Sequence, residues 1–186
     1  MISKLLFFIG IACLLLYGFF IVEAHMQQAK LASELYRPLP VKTAKSDGGV
    51  PAPAPAPAPR RHLNEGDLFG RLEIPRLNLS VMVMEGDGAS VLRLGAGHVP
   101  GTQMCIAAHR DTFFRALKDI HVNDTIRFTT PEGTTEYRVV STKIVSPSDT
   151  SVLDADDDST LTLVTCYPFY YIGPAPRRFI VQAKKN

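Results

Sequence analysis

Cysteine is scarce in this 186-residue sequence, with three in all. Cys13 lies in an apolar N-terminal run, which leaves Cys105 and Cys166 as the one pair that could be bridged elsewhere. A framework of several disulfides is therefore excluded. Positive charge is not concentrated either: 20 Lys and Arg face 18 Asp and Glu, the net charge is +2, and the basic residues are scattered. That pattern argues against a nucleic-acid binder and against polyanionic partners in general. Charge is missing altogether from "LLFFIGIACLLLYGFFIV", Leu5–Val22. This run exceeds the roughly 7 to 15 residues of a signal-peptide core and suffices for a short transmembrane helix. A small-x-small cleavage site is absent after it, since Val22-Glu23-Ala24-His25 fits poorly, so an uncleaved anchor is expected, with a cleaved signal peptide as the alternative. Lys4 ahead of the run favours an N-in, C-out orientation, with the bulk of the chain outside the cytoplasm.

Three segments follow. Residues 1–24 form the expected anchor and residues 25–59 a tether. The tether is mildly helical from His25 to Arg37, polar and irregular from Pro38 to Val50, and ends in "PAPAPAPAP", Pro51–Pro59. Proline at every second position removes backbone donors and favours extended polyproline II, which at about 3.1 Å per residue spans roughly 28 Å. A spacer is expected, and a ligand for a polyproline-binding module is the alternative.

Residues 60–186 form the globular domain. "GRLEIPRLNLSVMVM" holds two short alternating runs split by Pro75. "TQMCIAAH", "TIRFTT", "TEYRVVSTKIV", "LTLVTC" and "RRFIVQA" are also strand-like. One helical candidate, "TFFRALKDI", lies among them. Many short strands with one or two short helices predict a mostly β fold, a closed or nearly closed barrel.

The strand "LTLVTC" ends in Cys166 and gives way to "YPFYY". Thr162, Val164 and Cys166 share one face, Leu161, Leu163 and Thr165 the other, so the strand is apolar on both sides and Cys166 emerges at its end. By itself such a cysteine reads as packed core. "MCIAAH" ends in the same way at His109, with Cys105, Ala107 and His109 on one face. If the two strands are neighbours, a Cys–His dyad follows, in which imidazole takes the thiol proton or stabilises the thiolate. Cys105 stands four strand residues from His109, roughly 13 Å, beyond hydrogen-bond reach, and reads as core. A Cys105–Cys166 disulfide is the remaining alternative. Further on, Arg177 and Arg178 open the last strand, and a guanidinium can donate to an oxyanion or to substrate carbonyls.

"TLVTC" followed twelve positions later by Arg178, with "AAHRDTFFRAL" upstream, resembles the sortases, membrane-anchored cysteine transpeptidases of the bacterial cell surface. "GRLEIPRL", "LRLGAGHVPGT" and "CYPFYYIGPAPRRFIV" look most like class D, and the resemblance covers about Gly66 to Lys184. It implies an eight-stranded β-barrel. It also implies Cys166 as nucleophile, His109 as general acid or base, and Arg178, in preference to Arg177, as the arginine. His98 resembles a non-catalytic family position. Substrates would be surface or secreted proteins with a C-terminal LPxTG-like sorting signal. The resulting thioester would pass to an amine, from a lipid-linked peptidoglycan precursor or a pilin lysine, in cell-wall anchoring or pilus assembly. Thr165 could support the oxyanion through its backbone or hydroxyl.

Two features depart from this pattern or extend it. The usual Ala-Gly-His is here Ala107-Ala108-His109, and activity is expected to survive the extra methyl. "DADDDS", Asp154–Ser159, precedes the cysteine strand. Some sortases bind calcium through a loop in this region, and carboxylates suit it, while a solvated turn is the other reading. No other cofactor is implied. Two other classes stay open: a surface cysteine protease that hydrolyses the thioester, and a non-catalytic stalked adhesion or scaffold module. The latter leaves His109, Cys166 and Arg178 without a reason to occur together.

Overall fold

The computed structural model describes residues 2–35, 63–151 and 159–186. The Pro-Ala tether and the acidic run Asp154–Asp158 lie outside the described residues. Eight strands close into a barrel: β1 Leu68–Ile74, β2 Leu79–Glu85, β3 Ala96–His98, β4 Cys105–Ala107, β5 Thr125–Thr130, β6 Gly133–Val145, β7 Thr160–Tyr167 and β8 Arg177–Lys185. Around the barrel they run β1-β2-β3-β4-β7-β8-β6-β5, and β5 returns to β1. The mostly β, eight-stranded architecture expected from the sequence is therefore present.

Local chemistry explains the joints. Pro75, which cannot donate to a ladder, ends β1 and opens the 3-10 turn Pro75–Leu77. Asn78 closes that turn at φ 49°, a left-handed conformation that asparagine tolerates. Alternation then sorts the side chains. Leu72, Ile74, Val81, Val83, Ile106, Ile126, Phe128, Leu161, Leu163 and Val181 fill the interior at 2% exposure or less. Truncating one such leucine to alanine costs about 2–5 kcal/mol.

Two elements were not evident from local pattern. α2, Ala89–Leu94, is a six-residue helix, and β3 has only three residues. Gly97 in β3 is set by close approach, because a Cβ there would stand 2.1 Å from the Gly86 carbonyl oxygen. The helical candidate "TFFRALKDI" is instead a turn leading into the 3-10 segment Arg115–Asp119. Phe114 and Leu117, both fully buried, pin it to the core.

At the N-terminus a single helix, α1 Ile2–Leu35, covers the apolar run and continues into the segment read as tether. Phe7, Phe8, Leu14, Leu15, Tyr17 and Phe19 are each more than 60% exposed. Among the described residues no helix is long and apolar enough to cross a membrane. The crossing expected of Leu5–Val22 is thus not established by the architecture. Beyond that run, Gln28 meets the barrel: its Nε2 donates to Leu94 O at 2.6 Å, and Met82 N donates to its Oε1 at 2.6 Å.

Candidate active site

The strand order decides which chain ends meet. β4 and β7 are parallel neighbours, with Cys105 opposite Thr162 and Ala107 opposite Val164. Parallel strands point their C-terminal ends the same way, and both chains continue for two residues past the Ala107–Val164 pair, to His109 and to Cys166. Two bonds extend the pairing: Ala108 N donates to Val164 O at 3.2 Å, and the Thr165 hydroxyl donates to Ala108 O at 2.7 Å. On its other side β7 is antiparallel to β8, and there Cys166 lies opposite Arg178 and Tyr167 opposite Arg177.

His109, Cys166 and Arg178 consequently line one cleft of about 380 Å³, walled by Leu92 of α2, Val99, Val164 and Ile180. His109 is exposed; Cys166 and Arg178 are half-buried; Arg177 is exposed. Two other depressions, of about 410 and 350 Å³, contain none of the three. Arg178 Nη1 donates to Arg177 O at 3.2 Å and Ala175 O at 3.5 Å. Residues bearing a thiol, an imidazole and a guanidinium thus line one cleft, the set that acyl transfer at sulfur uses.

The remaining candidates are placed elsewhere. Cys105 is 2% exposed, and burial, with the negative charge of Asp87 adding to it, pushes its thiol up to about 12. All three cysteines are free thiols. Cys105 pairs with Thr162, four residues before Cys166, so the alternative disulfide does not form. His98 is 7% exposed, stacks on Phe69 with centroids 4.2 Å apart, and shares a 2.9 Å contact between Nδ1 and Glu85 Oε2. It holds structure away from the cleft. The Thr165 hydroxyl is not free to support an oxyanion, because its proton is committed to Ala108. Among the described residues no group of three or more His, Cys, Asp or Glu could hold a metal ion. The acidic run considered for calcium lies outside them.

Sequence reasoning missed two residues. Leu92 belongs to a helix too short to show a period. Arg110, next to His109, is 8% exposed although an arginine beside a histidine reads as surface. The "HRD" string was the available signal.

A family model, the sortase domain, matches residues 72–186. The chain belongs to the sortase family. Sortases are cysteine transpeptidases, and among their classes this chain is most like class D. Sortase D of Bacillus subtilis (strain 168) is 37% identical over 128 residues, 64% of this chain and 65% of that protein. Sortase A of Listeria monocytogenes is 28% identical over 107 residues, 52% of this chain and 48% of that protein. The chain thus spans less than two thirds of the length of these relatives. Among solved structures, a Clostridium perfringens sortase D5 transpeptidase superposes with a TM-score of 0.60 at 30% identity, over 67% of this chain and 82% of that one. A Clostridium perfringens sortase C, solved with the C-terminal cell wall sorting motif, gives 0.61 at 25% identity over 67% and 74%.

Proposed function

We propose that this chain is a membrane-anchored cysteine transpeptidase that cleaves an LPxTG-like sorting signal and transfers the upstream protein to an amine. The observation that carries the reading is the shared cleft of His109, Cys166 and Arg178, set by the parallel register of β4 and β7. The anchoring rests on the uncharged run Leu5–Val22 and on Lys4 ahead of it, which support an extracytoplasmic barrel. Sorting-signal recognition is carried over from the family and from the sortase C solved with its motif.

In the proposed reaction the Cys166 thiolate attacks the threonine carbonyl carbon of the signal. Arg178 retains guanidinium donors beyond its two backbone contacts, and these face the oxyanion or a neighbouring substrate carbonyl. Collapse of the tetrahedral species breaks the C–N bond, and protonated His109 gives its proton to the departing glycine amine. A thioester remains on Cys166. An incoming amine attacks it, His109 takes the amine proton, and the thiolate leaves. Splitting the transfer in two keeps the acyl group activated without ATP. Side chains alone supply these steps. The acceptor would be a lipid-linked peptidoglycan precursor or a pilin lysine, so the reading covers both cell-wall anchoring and pilus assembly.

The test is intact-protein mass spectrometry of the full chain in detergent with a library of LPxTG-type peptides and an amine. The expected result is an acyl adduct that hydroxylamine removes and Cys166→Ala abolishes, together with an amine-linked product. A free acid alone would make the protein a hydrolase. Failure of Cys166 to alkylate in the folded chain would make it a core cysteine and end the proposal.

A further inference from the structure

Arg110 is a buried cation that the reaction as written does not use. It directly follows His109, is 8% exposed, and has no carboxylate partner among the described residues. Its Nη2 donates instead to two backbone carbonyls, Tyr171 O at 2.6 Å and Gly173 O at 3.1 Å. The guanidinium carbon lies 5.8 Å from the centroid of the Tyr171 ring. Nη1 is buried with no hydrogen-bond partner among the described residues. A buried charge left so incompletely satisfied is costly, and such a cost is retained where the group holds something in place.

What it holds follows from the topology. The acceptors belong to the loop between β7 and β8, residues 168–176, which starts just past Cys166 and returns to Arg178. The first half of that loop has its own anchor: Phe169 packs on Phe179 with centroids 5.2 Å apart and on Tyr167 at 6.0 Å. Past it the chain turns outward, and Ile172 is 98% exposed. Arg110 grips this outer half. His109, for its part, stands beyond the last strand pair of β4. Before it, Ala108 is bonded to Val164 and Thr165; after it, the next side-chain fixture is Arg110.

We propose that Arg110 is a positioning residue: by tying the chain just after His109 to the loop that follows Cys166, its guanidinium fixes the imidazole relative to the thiol. The proposal deepens the assignment of Cys166 and His109 as the reactive pair and rests on it. Both bonds leave one nitrogen, Nη2, whose two N–H directions are fixed by the guanidinium plane; a lysine ammonium also has N–H donors but lacks that fixed plane and reach. The guanidinium does not contact the substrate in this role, so its loss affects the rate of the bound complex and not its affinity.

The test compares full-length wild type with Arg110→Gln, Arg110→Lys and Gly173→Ala. Gly173 has φ +107°, so alanine there strains the loop and displaces one acceptor while meeting nothing closer than 3.9 Å. Arg110→Gln should lower kcat about 10- to 100-fold with KM within about threefold, as expected for a misplaced catalytic group. Arg110→Lys should recover part of that loss. Gly173→Ala should lower kcat in the same sense, and the double variant should lose less than the product of the two single losses. Hydrogen exchange of residues 168–176 in Arg110→Gln should speed up about tenfold or more while β1, β5 and β6 keep their protection, which separates release of the loop from unfolding. Unchanged kcat, a loss confined to KM, or unchanged loop exchange would overturn the proposal. If wild type forms no acyl adduct, the transpeptidase reading fails, and the exchange experiment still decides whether Arg110 holds the loop.

Discussion

The hydrogen bond from the Thr165 hydroxyl to Ala108 O ties the residue before the thiol to the residue before the imidazole. Thr165→Val tests it with little change of volume. Thr165 is 2% exposed and the bond is 2.7 Å long, so valine removes a donor from a site that water does not reach. Leaving a buried acceptor without its partner costs about 1–3 kcal/mol. For a chain of this size each kcal/mol lowers Tm by about 2–4 °C, so a central loss of about 2 kcal/mol lowers it by about 4–8 °C. Urea denaturation should give the same free-energy change with an unaltered slope. Thr165→Ser keeps the donor and should recover about half of the loss, leaving about 1 kcal/mol for the missing methyl group. Turnover should fall in Thr165→Val beyond what the unfolded fraction explains, because His109 and Cys166 lose a shared brace. A Thr165→Val protein within 0.5 kcal/mol of wild type, or a serine variant as unstable as the valine one, would refute the argument that this bond matters.

Two further outcomes concern ionisation. At pH 8 a thiol with a pKa of about 12 is roughly one part in ten thousand thiolate, so Cys105 should resist iodoacetamide in the folded chain and react after denaturation, while Cys166 labels in the native state; peptide mapping reads both, and native labelling of Cys105 would contradict its burial. The Asp124 carboxylate accepts from Arg76 Nε at 2.5 Å and Nη2 at 2.6 Å and from His121 N at 2.8 Å, and the Arg76 hydrogen bond, ahead of the His121 bond and the Arg76 charge, holds it below the ordinary carboxylate range. A depressed folded pKa contributes stability above the unfolded value near 3.8 that is lost as pH falls through the folded value, so Asp124→Asn should flatten the stability profile below about pH 4, and an unchanged acid limb would count against the ion pair.

Most strands were legible from alternation, where one face is buried and the other is not, and β7 from a short apolar run buried on both faces. β1, β2, β5, β6, β7 and β8 all correspond to runs picked out in this way. β3 was not, since Ala96-Gly97-His98 is too short to alternate and all three residues are buried. The expected strand Thr102–His109 shrinks to Cys105–Ala107: at its start Thr102 turns back to donate to Val99 O, and at its end only Ala108, through Val164 and Thr165, prolongs the pairing. Cys166 and His109 were legible as strand ends. Their nearness was not, because pairing between segments 57 residues apart leaves no local trace. The choice of Arg178 over Arg177 came from the family resemblance; the register places Arg178 opposite Cys166 and Arg177 opposite Tyr167. Arg110 escaped because its burial depends on carbonyls 61 and 63 residues away.

The parallel pairing of β4 with β7 has a consequence for the order of events as the chain folds. A hairpin can close as soon as its second strand exists, whereas this contact must close a loop that holds the 3-10 segment Arg115–Asp119, β5 and β6, since all lie between the two strands. Until then the thiol and the imidazole belong to separate, independently moving stretches of chain. A half-folded molecule therefore exposes Cys166 as an ordinary thiol, and its pairing with His109 comes into being only with the finished barrel.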